Sequence, residues 1–198
     1  MRVNATSLTD TTGIGGALFA ATSASSVITG ASATGGKPAL QTTSQEMGMD
    51  DKIKRAILEI VDRHRVTSLA TLRPDGWPQA TTVGYVNEGL DIYFLCGCDS
   101  QKAHNLSQDD RVSLTINDDP SDVMQIKGLS LAGHASPVED QTEAARVIAL
   151  WPRKYPTVKE LPMPMPPPDQ IRVFCVTPSV LSLLDYSQGF GHSDLVTA

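Results

Sequence analysis

The feature that most constrains the fold is a series of short β-strand patterns separated by tight turns. Four patterns, each rich in apolar, β-branched or aromatic side chains, cover residues 66–72, 77–86, 90–96 and 111–117. Arg73-Pro74-Asp75-Gly76 joins the first two, and Asn87-Glu88-Gly89 joins the second to the third. Because connections this short make neighbouring strands antiparallel, the sequence predicts an antiparallel sheet.

Two amphipathic helices are predicted beside these strands. Residues 52–65 carry apolar side chains at helical spacing, and Asp50 or Asp51 can cap that helix. A second helix is predicted over residues 139–151, and Pro152 should end it. Its predicted buried side chains are Ala144, Val147, Ile148 and Trp151.

Further strands are predicted over residues 124–138, 171–177 and 180–184. Gly128 and Gly133 are predicted bulges or bends in the first of these strands, and Pro178 is the predicted break between the last two. Residues 152–170, which hold seven of the thirteen prolines, are predicted to form an extended crossover. Six or seven antiparallel strands must cover or close their edges. We therefore predict a mainly β protein with peripheral helices, built as a closed or partly closed barrel.

Residues 1–46 differ in composition from the rest of the chain. Ser, Thr, Ala and Gly make up more than half of this stretch. It has too little apolar surface to offset the entropy cost of ordering, so we predict a disordered tail followed by one domain over residues 47–198. A secretory signal around residues 14–21 is an alternative. Another is that the natural start is Met47 or Met49.

The charge and cysteine content exclude several classes of protein. The net charge is −6 and the pI about 5.1, which disfavours a nucleic-acid-binding protein and a polybasic membrane anchor. No apolar run approaches the roughly 20 residues needed to cross a bilayer. The three cysteines are an odd number in a chain too long to need disulfides, so we expect a cytoplasmic location. The Cys96-Gly97-Cys98 spacing is not that of a zinc site.

The most informative segment for function is the connection between the third and fourth strands. After an apolar strand, a polar turn opens a helix with Ser100, Gln101 and Lys102 in its first turn. Free backbone N–H groups and a partial positive charge at a helix N-terminus attract anions, and a hydroxyl and an ammonium group add to this. The segment therefore predicts a phosphate site. The alternative is an ordinary N-cap at Ser100 and a solvated charge at Lys102.

This segment, SQKAHNLSQDDRVSL, resembles the pyridoxamine 5′-phosphate oxidase family of FMN-binding split barrels. The resemblance covers about residues 52–151 and is most specific at Ser100, Lys102, Ala103 and residues 111–113. It implies a six- to seven-stranded antiparallel split β-barrel. It also implies a homodimer with FMN bound at the interface.

The same resemblance implies which residues hold the cofactor. The implied phosphate contacts are Ser100, Gln101 and Lys102. The implied main-chain contacts are Leu95 and Cys96. The residues implied to run along the flavin ring are Thr81, Thr82 and Val83. The chain departs from the vitamin B6 oxidases in three ways. It has no arginine or lysine at residues 80–85, Gln101 replaces an arginine, and their substrate-binding arginine–histidine pair has no clear counterpart.

Four other residues are candidates for the pocket. Trp151 could stack on a flavin or a substrate, although its helical spacing also suits core packing. Tyr186, Phe190 and His192 lie in a glycine-flanked segment, DYSQGFGH, whose aromatic and ionisable groups are typical of site-forming loops. His192 is the candidate for proton transfer because imidazole titrates near neutral pH.

The expected function is that of an FMN-dependent oxidoreductase, in which bound flavin accepts or donates a hydride. A small-molecule substrate is expected but not identified. Two alternatives keep the same barrel. One is a non-catalytic flavin carrier or redox sensor, and the other is a member that binds deazaflavin or haem.

Overall fold

The computed structural model describes residues 49–157 and 167–197. The predicted disordered tail and the central part of the predicted proline-rich crossover lie outside these residues. The strands are β1 (Val66–Leu72), β2 (Pro78–Glu88), β3 (Asp91–Gly97), β4 (Arg111–Asn117), β5 (Lys127–Pro137), β6 (Ile171–Asp185) and β7 (Ser193–Thr197). The helices are α1 (Asp51–Arg63), α2 (Gln101–Gln108), α3 (Gln141–Ile148) and α4 (Trp151–Lys154). Short 3-10 turns cover Val123–Gln125, Pro168–Gln170 and Tyr186–Gln188.

The strands form one antiparallel sheet that closes on itself. Their order is β3-β2-β1-β4-β5-β6-β7, and β3 also pairs with β6. That additional pairing closes six strands into a barrel and leaves β7 outside, attached to β6. The predicted mainly β fold with peripheral helices and a closed antiparallel barrel is therefore confirmed.

The main core fills the barrel and continues beneath α1. Strand side chains alternate between the interior and the outer face, as in the buried series of β4, which includes Leu114 and Ile116. Helix α1 contributes Ile57 and Ile60 to this core, and the Asp50 carboxylate caps its first turn by accepting from the Lys52 N–H at 2.7 Å.

A second core lies outside the barrel, where α3 and α4 cover β3 and the adjoining strands. Val147 of α3 is completely buried there against side chains of the barrel's outer face. Lys154 of α4 fastens this layer, because its Nζ donates to Val61 O at 2.8 Å and to Asn87 Oδ1 at 2.9 Å. The ammonium also lies 3.8 Å from the centre of the Tyr85 ring. Burial lowers the Lys154 pKa from 10.5 to about 8.

The second predicted helix differs from the structure. It is divided into α3 and α4, and Pro152 lies in the first turn of α4 instead of ending a helix. Proline is compatible with that position because the first-turn N–H groups have no intrahelical partner. Ile148, predicted to be buried, is 49% exposed.

The predicted break at Pro178 is also wrong, since β6 runs unbroken from Ile171 to Asp185. Pro178 pairs with Gly133 where the register between β5 and β6 shifts, and a proline without an N–H is tolerated at such an irregularity. A Cβ on Gly133 would lie 2.3 Å from Thr177 O, so the close approach of the two strands requires glycine. The predicted irregularity at Gly133 is therefore confirmed, whereas Gly128 pairs regularly with Leu184. Strand β7 was not predicted.

None of the helices in the described part of the chain is long and apolar enough to cross a membrane.

The lowered pKa of Lys154 predicts a pH-dependent stability. Between about pH 8 and 10.5 the unfolded chain keeps a proton on Lys154 that the folded protein has released, so the free energy of unfolding should rise with pH. We expect the stability difference between wild type and Lys154→Met, measured by urea unfolding, to move in favour of wild type across this window. Arg153→Met, at an exposed neighbour, is the control. A difference that stays constant would contradict the prediction.

Candidate functional site

The candidate site is a gap where β2 and β3 separate. Tyr85–Glu88 of β2 pair with Asp91–Phe94 of β3, but the rest of β2 pairs only with β1. Leu95–Gly97 of β3 pair only with the beginning of β6, which borders the other edge of β3. One edge of β2 is consequently left with unpaired backbone groups at the gap.

The backbone direction along β2 shows which groups point into the gap. The Tyr85 N–H points to the β1 side, where it donates to Arg65 O at 3.2 Å. Successive strand residues direct their N–H and C=O groups to alternate sides, so the backbone groups of Gly84 face Leu95 of β3, beside the last β2–β3 pair, whereas those of Ala80 and Thr82 point to the unpaired edge. They are available to bind a planar ligand that carries donors and acceptors along one side.

The side chains at this edge differ in their surroundings. Thr82 is exposed, whereas the Thr81 hydroxyl oxygen is buried without a hydrogen-bond partner among the described residues. A buried hydroxyl without a partner costs free energy that a ligand could recover. Val83 is only 7% exposed and packs in the barrel core, on the same face of β2 as Thr81.

Helix α2 begins at the turn after β3, close to this gap. Ser100 is its N-cap, and its Oγ accepts from the Ala103 N–H at 3.2 Å. The His104 N–H donates to Ser100 O at 3.0 Å. The N–H groups of Gln101 and Lys102 have no partner among the described residues, so both remain available to an anion.

The predicted phosphate contacts have different surroundings. The Lys102 side chain is half-buried and forms no ion pair within the described parts of the chain. The Gln101 side chain donates from Nε2 to Asn105 Oδ1 at 2.9 Å, so its amide is held along the helix. The main-chain N–H of Gln101, and not its side chain, is therefore free to bind a ligand. Asn105, completely buried, was not identified from the sequence.

A second cation lies beside the beginning of α2. The pairing of β3 with β6 places Arg172 opposite Cys96. Arg172, Ser100 and His104 share a cavity of about 450 Å³. Sequence reasoning missed Arg172 because only the strand register brings it to a helix about seventy residues earlier in the chain.

A nearby arginine is already neutralised. Arg111, at the start of β4, donates from Nε to Asp109 Oδ1 at 2.9 Å, and its main-chain N–H donates to the same oxygen at 3.1 Å. These bonds lower the Asp109 pKa to about 2 and raise the Arg111 pKa. Lys102 and Arg172 are therefore the better candidates for binding an anion at α2.

The remaining predicted residues near the gap pack into the two cores. The Leu95 side chain packs against the outer core and the Cys96 side chain against the barrel core. Both residues lie on the part of β3 that does not pair with β2, so their backbones border the gap. Trp151 stacks on Tyr155, with ring centres 5.1 Å apart, in the outer core. A Cβ on Gly84 would lie 3.5 Å from the Trp151 ring, so this tryptophan lies beside the last residue of the unpaired edge. The stacking on Tyr155 in the outer core favours the core-packing interpretation of Trp151.

The aromatic segment after β6 is far from α2 within one chain. The Tyr186 and Phe190 rings lie 5.1 Å apart, and Phe190 is 79% exposed. His192 Nε2 lies 3.4 Å from Asp194 Oδ2. This segment follows the end of β6, which lies level with the last residue of β4 because both strands pair there with the beginning of β5. Helix α2, in contrast, comes just before the first residue of β4. The seven residues of β4 separate them by about 20 Å.

Several solved structures are similar to this chain. A haem-binding protein from Mycobacterium smegmatis is 25% identical with a TM-score of 0.58, over 73% of this chain and 56% of its own. This chain thus spans little more than half of that protein's length. A conserved hypothetical protein from Mycobacterium tuberculosis is 24% identical with a TM-score of 0.58, over 76% and 93% of the two chains. HutZ, the haem storage protein from Vibrio cholerae, is 19% identical with a TM-score of 0.52, over 72% and 92%.

The last two similarities show the fold alone. A comparison with curated proteins finds no match. The family profile described as pyridoxamine 5′-phosphate oxidase matches residues 53–183, which is more than half of the chain and includes β1 to β5, α2 and most of β6. The predicted family is confirmed, and the chain belongs to the pyridoxamine 5′-phosphate oxidase family.

Proposed function

We propose that this protein is an FMN-dependent oxidoreductase that binds the flavin in the gap between β2 and β3. The observation that carries this proposal is the geometry of that gap, where an unpaired strand edge lies close to a helix N-terminus with two free N–H groups and Lys102. Family membership supports the proposal. The residues present fit a flavin phosphate at the N-terminus of α2 and a planar ring along the unpaired edge of β2.

The phosphate would bind at the start of α2. A dianion needs several donors and a compensating charge. The N–H groups of Gln101 and Lys102 supply two donors, and the Ser100 hydroxyl can donate its proton while its oxygen accepts from Ala103. The Lys102 ammonium supplies charge, with Arg172 close to Ser100. The aligned peptide dipoles of the helix favour the same sign of ligand.

The ring would lie along the unpaired edge of β2. The backbone groups of Ala80 and Thr82 can bond the ring's carbonyl and nitrogen atoms, and the Thr81 hydroxyl would gain the partner it lacks. When bound, a flavin supplies hydride transfer. The chain's own contribution is to bind and orient the ring and to keep water away from it.

A second copy of the chain would cover the outer side of the gap. Two adjacent rows of small side chains cross the outer faces of β2, β1, β4 and β5. In that strand order, one row is Ala80, Ala70, Ser113 and Ala132, and the other is Thr82, Ser68, Thr115 and Ser130. Small side chains let two sheets approach closely. The proposed assembly is a homodimer, and Tyr186, Phe190 and His192 would reach a flavin only from the second copy.

Haem binding is the second candidate function, since the 25%-identical M. smegmatis protein is a haem-binding protein. Histidine is one of the side chains that ligate haem iron, together with cysteine, methionine and tyrosine. His64 and His134 bond Asp118 and Asp110, which leaves His104 on the exposed side of α2 and His192. Because the donors at α2 suit a phosphate, flavin is the better supported cofactor. A non-catalytic flavin carrier shares the binding site and differs only in turnover.

The proposal predicts phosphate-dependent flavin binding. We expect purified protein titrated with FMN to quench flavin fluorescence and to retain an absorption band at about 450 nm after desalting. Lys102→Ala should weaken FMN binding by about 10- to 100-fold, because a charged hydrogen bond is lost. Riboflavin, which has no phosphate, should bind equally to both proteins.

Lys54→Ala, at an exposed lysine on α1, is the matched control and should bind FMN like wild type. Equal affinity of wild type for FMN and riboflavin would contradict the phosphate site. A Soret band at about 400 nm in place of the flavin band would favour haem.

The proposed homodimer can be tested on the face of small side chains. Ala132→Arg adds a long charged side chain at the β5 end of that face, so we expect analytical ultracentrifugation to show a shift from dimer to monomer. FMN affinity should fall with it, because the covering chain is lost. Gln141→Arg, at an exposed position of α3 on the outside of the other core, should leave the dimer intact. A monomeric wild type would contradict this part of the proposal.

A further inference from the structure

Asn105 is the most deeply buried polar side chain of the described residues, with no solvent exposure. It lies on α2 and bonds side chains of both β1 and β2. Its Nδ2 donates to Thr71 Oγ1 at 2.9 Å and to Gln79 Oε1 at 3.1 Å. Its Oδ1 accepts from Gln101 Nε2 at 2.9 Å. Both amide hydrogens and the carbonyl are therefore used.

The two acceptors are a cross-strand pair. Thr71 of β1 is directly opposite Gln79 of β2, so one amide group bridges two paired strands and ties them to the helix. Gln79 is two residues before Thr81 and lies on the same face of β2. The clamp formed by Thr71, Gln79, Gln101 and Asn105 therefore connects the first turn of α2 to the strand that borders the gap.

Helix α2 depends on such contacts for its orientation. It has only eight residues, and an isolated helix of that length is not stable in water. Apart from Asn105, its buried side chains are Ala103 and Leu106, which offer little directional packing. Apolar contacts tolerate rotation and sliding, whereas hydrogen bonds in a dry interior fix direction and distance. The clamp is thus the part of α2 that fixes where its N-terminus points.

We infer that Asn105 is the positioning residue for the phosphate site, and that Gln101 belongs to the same clamp instead of contacting the phosphate through its side chain. This inference rests on the proposed function. The clamp holds the free N–H groups of Gln101 and Lys102 at a fixed distance from the β2 edge. A ligand that occupies both the edge and the helix needs that distance, and a ligand that occupies only the edge does not.

The test compares FMN with riboflavin in wild type, Asn105→Leu and Leu106→Ala. Leucine keeps the side-chain volume but removes the three hydrogen bonds. We expect Asn105→Leu to weaken FMN binding by about tenfold or more and riboflavin binding by less than about twofold. Leu106→Ala, which removes an apolar contact of the same helix and leaves the hydrogen bonds of the clamp in place, should leave both affinities close to those of wild type.

Two single-bond variants keep the test informative where Asn105→Leu does not fold. Thr71→Val and Gln101→Ala each remove one partner of Asn105 and should reduce FMN affinity selectively, by a smaller factor. In the ligand-free protein, amide hydrogen exchange of residues 101–104 should be faster in Asn105→Leu than in wild type.

The inference is overturned if the Asn105 and clamp variants lose FMN and riboflavin affinity equally, or lose neither, while wild type prefers FMN. A wild type that binds FMN no better than riboflavin has a different meaning, because it removes the phosphate site and with it the proposed function. The two failures are therefore distinguished by the wild-type measurement alone.

Discussion

The structure depends on the point at which β3 stops pairing with β2 and pairs only with β6. The Tyr85–Phe94 pair is the last pair between β2 and β3, and from Leu95 to Gly97 β3 pairs with β6 alone. The other edge of β3 pairs with β6 from Ile92 to Gly97 and keeps the barrel closed, so the loss of β2 opens the barrel on one edge of β3 only. An unpaired strand edge is normally a liability, which proteins cover with another element. Here the open edge has a use if a planar ligand pairs with it.

Helix α2 gives the open edge its second function. It starts where β3 ends, so its free N–H groups lie at the end of the same gap. The helix is too short to orient itself, and the buried amide of Asn105 fixes it to both β1 and β2. Ring and phosphate contacts are thereby held at one separation. The aromatic segment around His192 lies beyond the far end of β4, so its part in the site depends on a second chain.

Much of the fold could be predicted because strand periodicity and turn residues are local signals. Strands β1 and β4 were predicted with their observed bounds, and so was Ser100 at the start of α2. The prediction failed at Pro152 and Pro178, because proline breaks regular structure only where its missing N–H is needed. The clamp at Asn105 and the cation at Arg172 were missed because each depends on contacts between distant segments, which no local pattern contains.

The position of the phosphorus atom in a crystal structure of the FMN complex tests this account most directly. We expect phosphorus within hydrogen-bond reach of the Gln101 and Lys102 N–H groups, with the ring along residues 80–84. Phosphorus bound elsewhere, or a ring that does not contact β2, would contradict it.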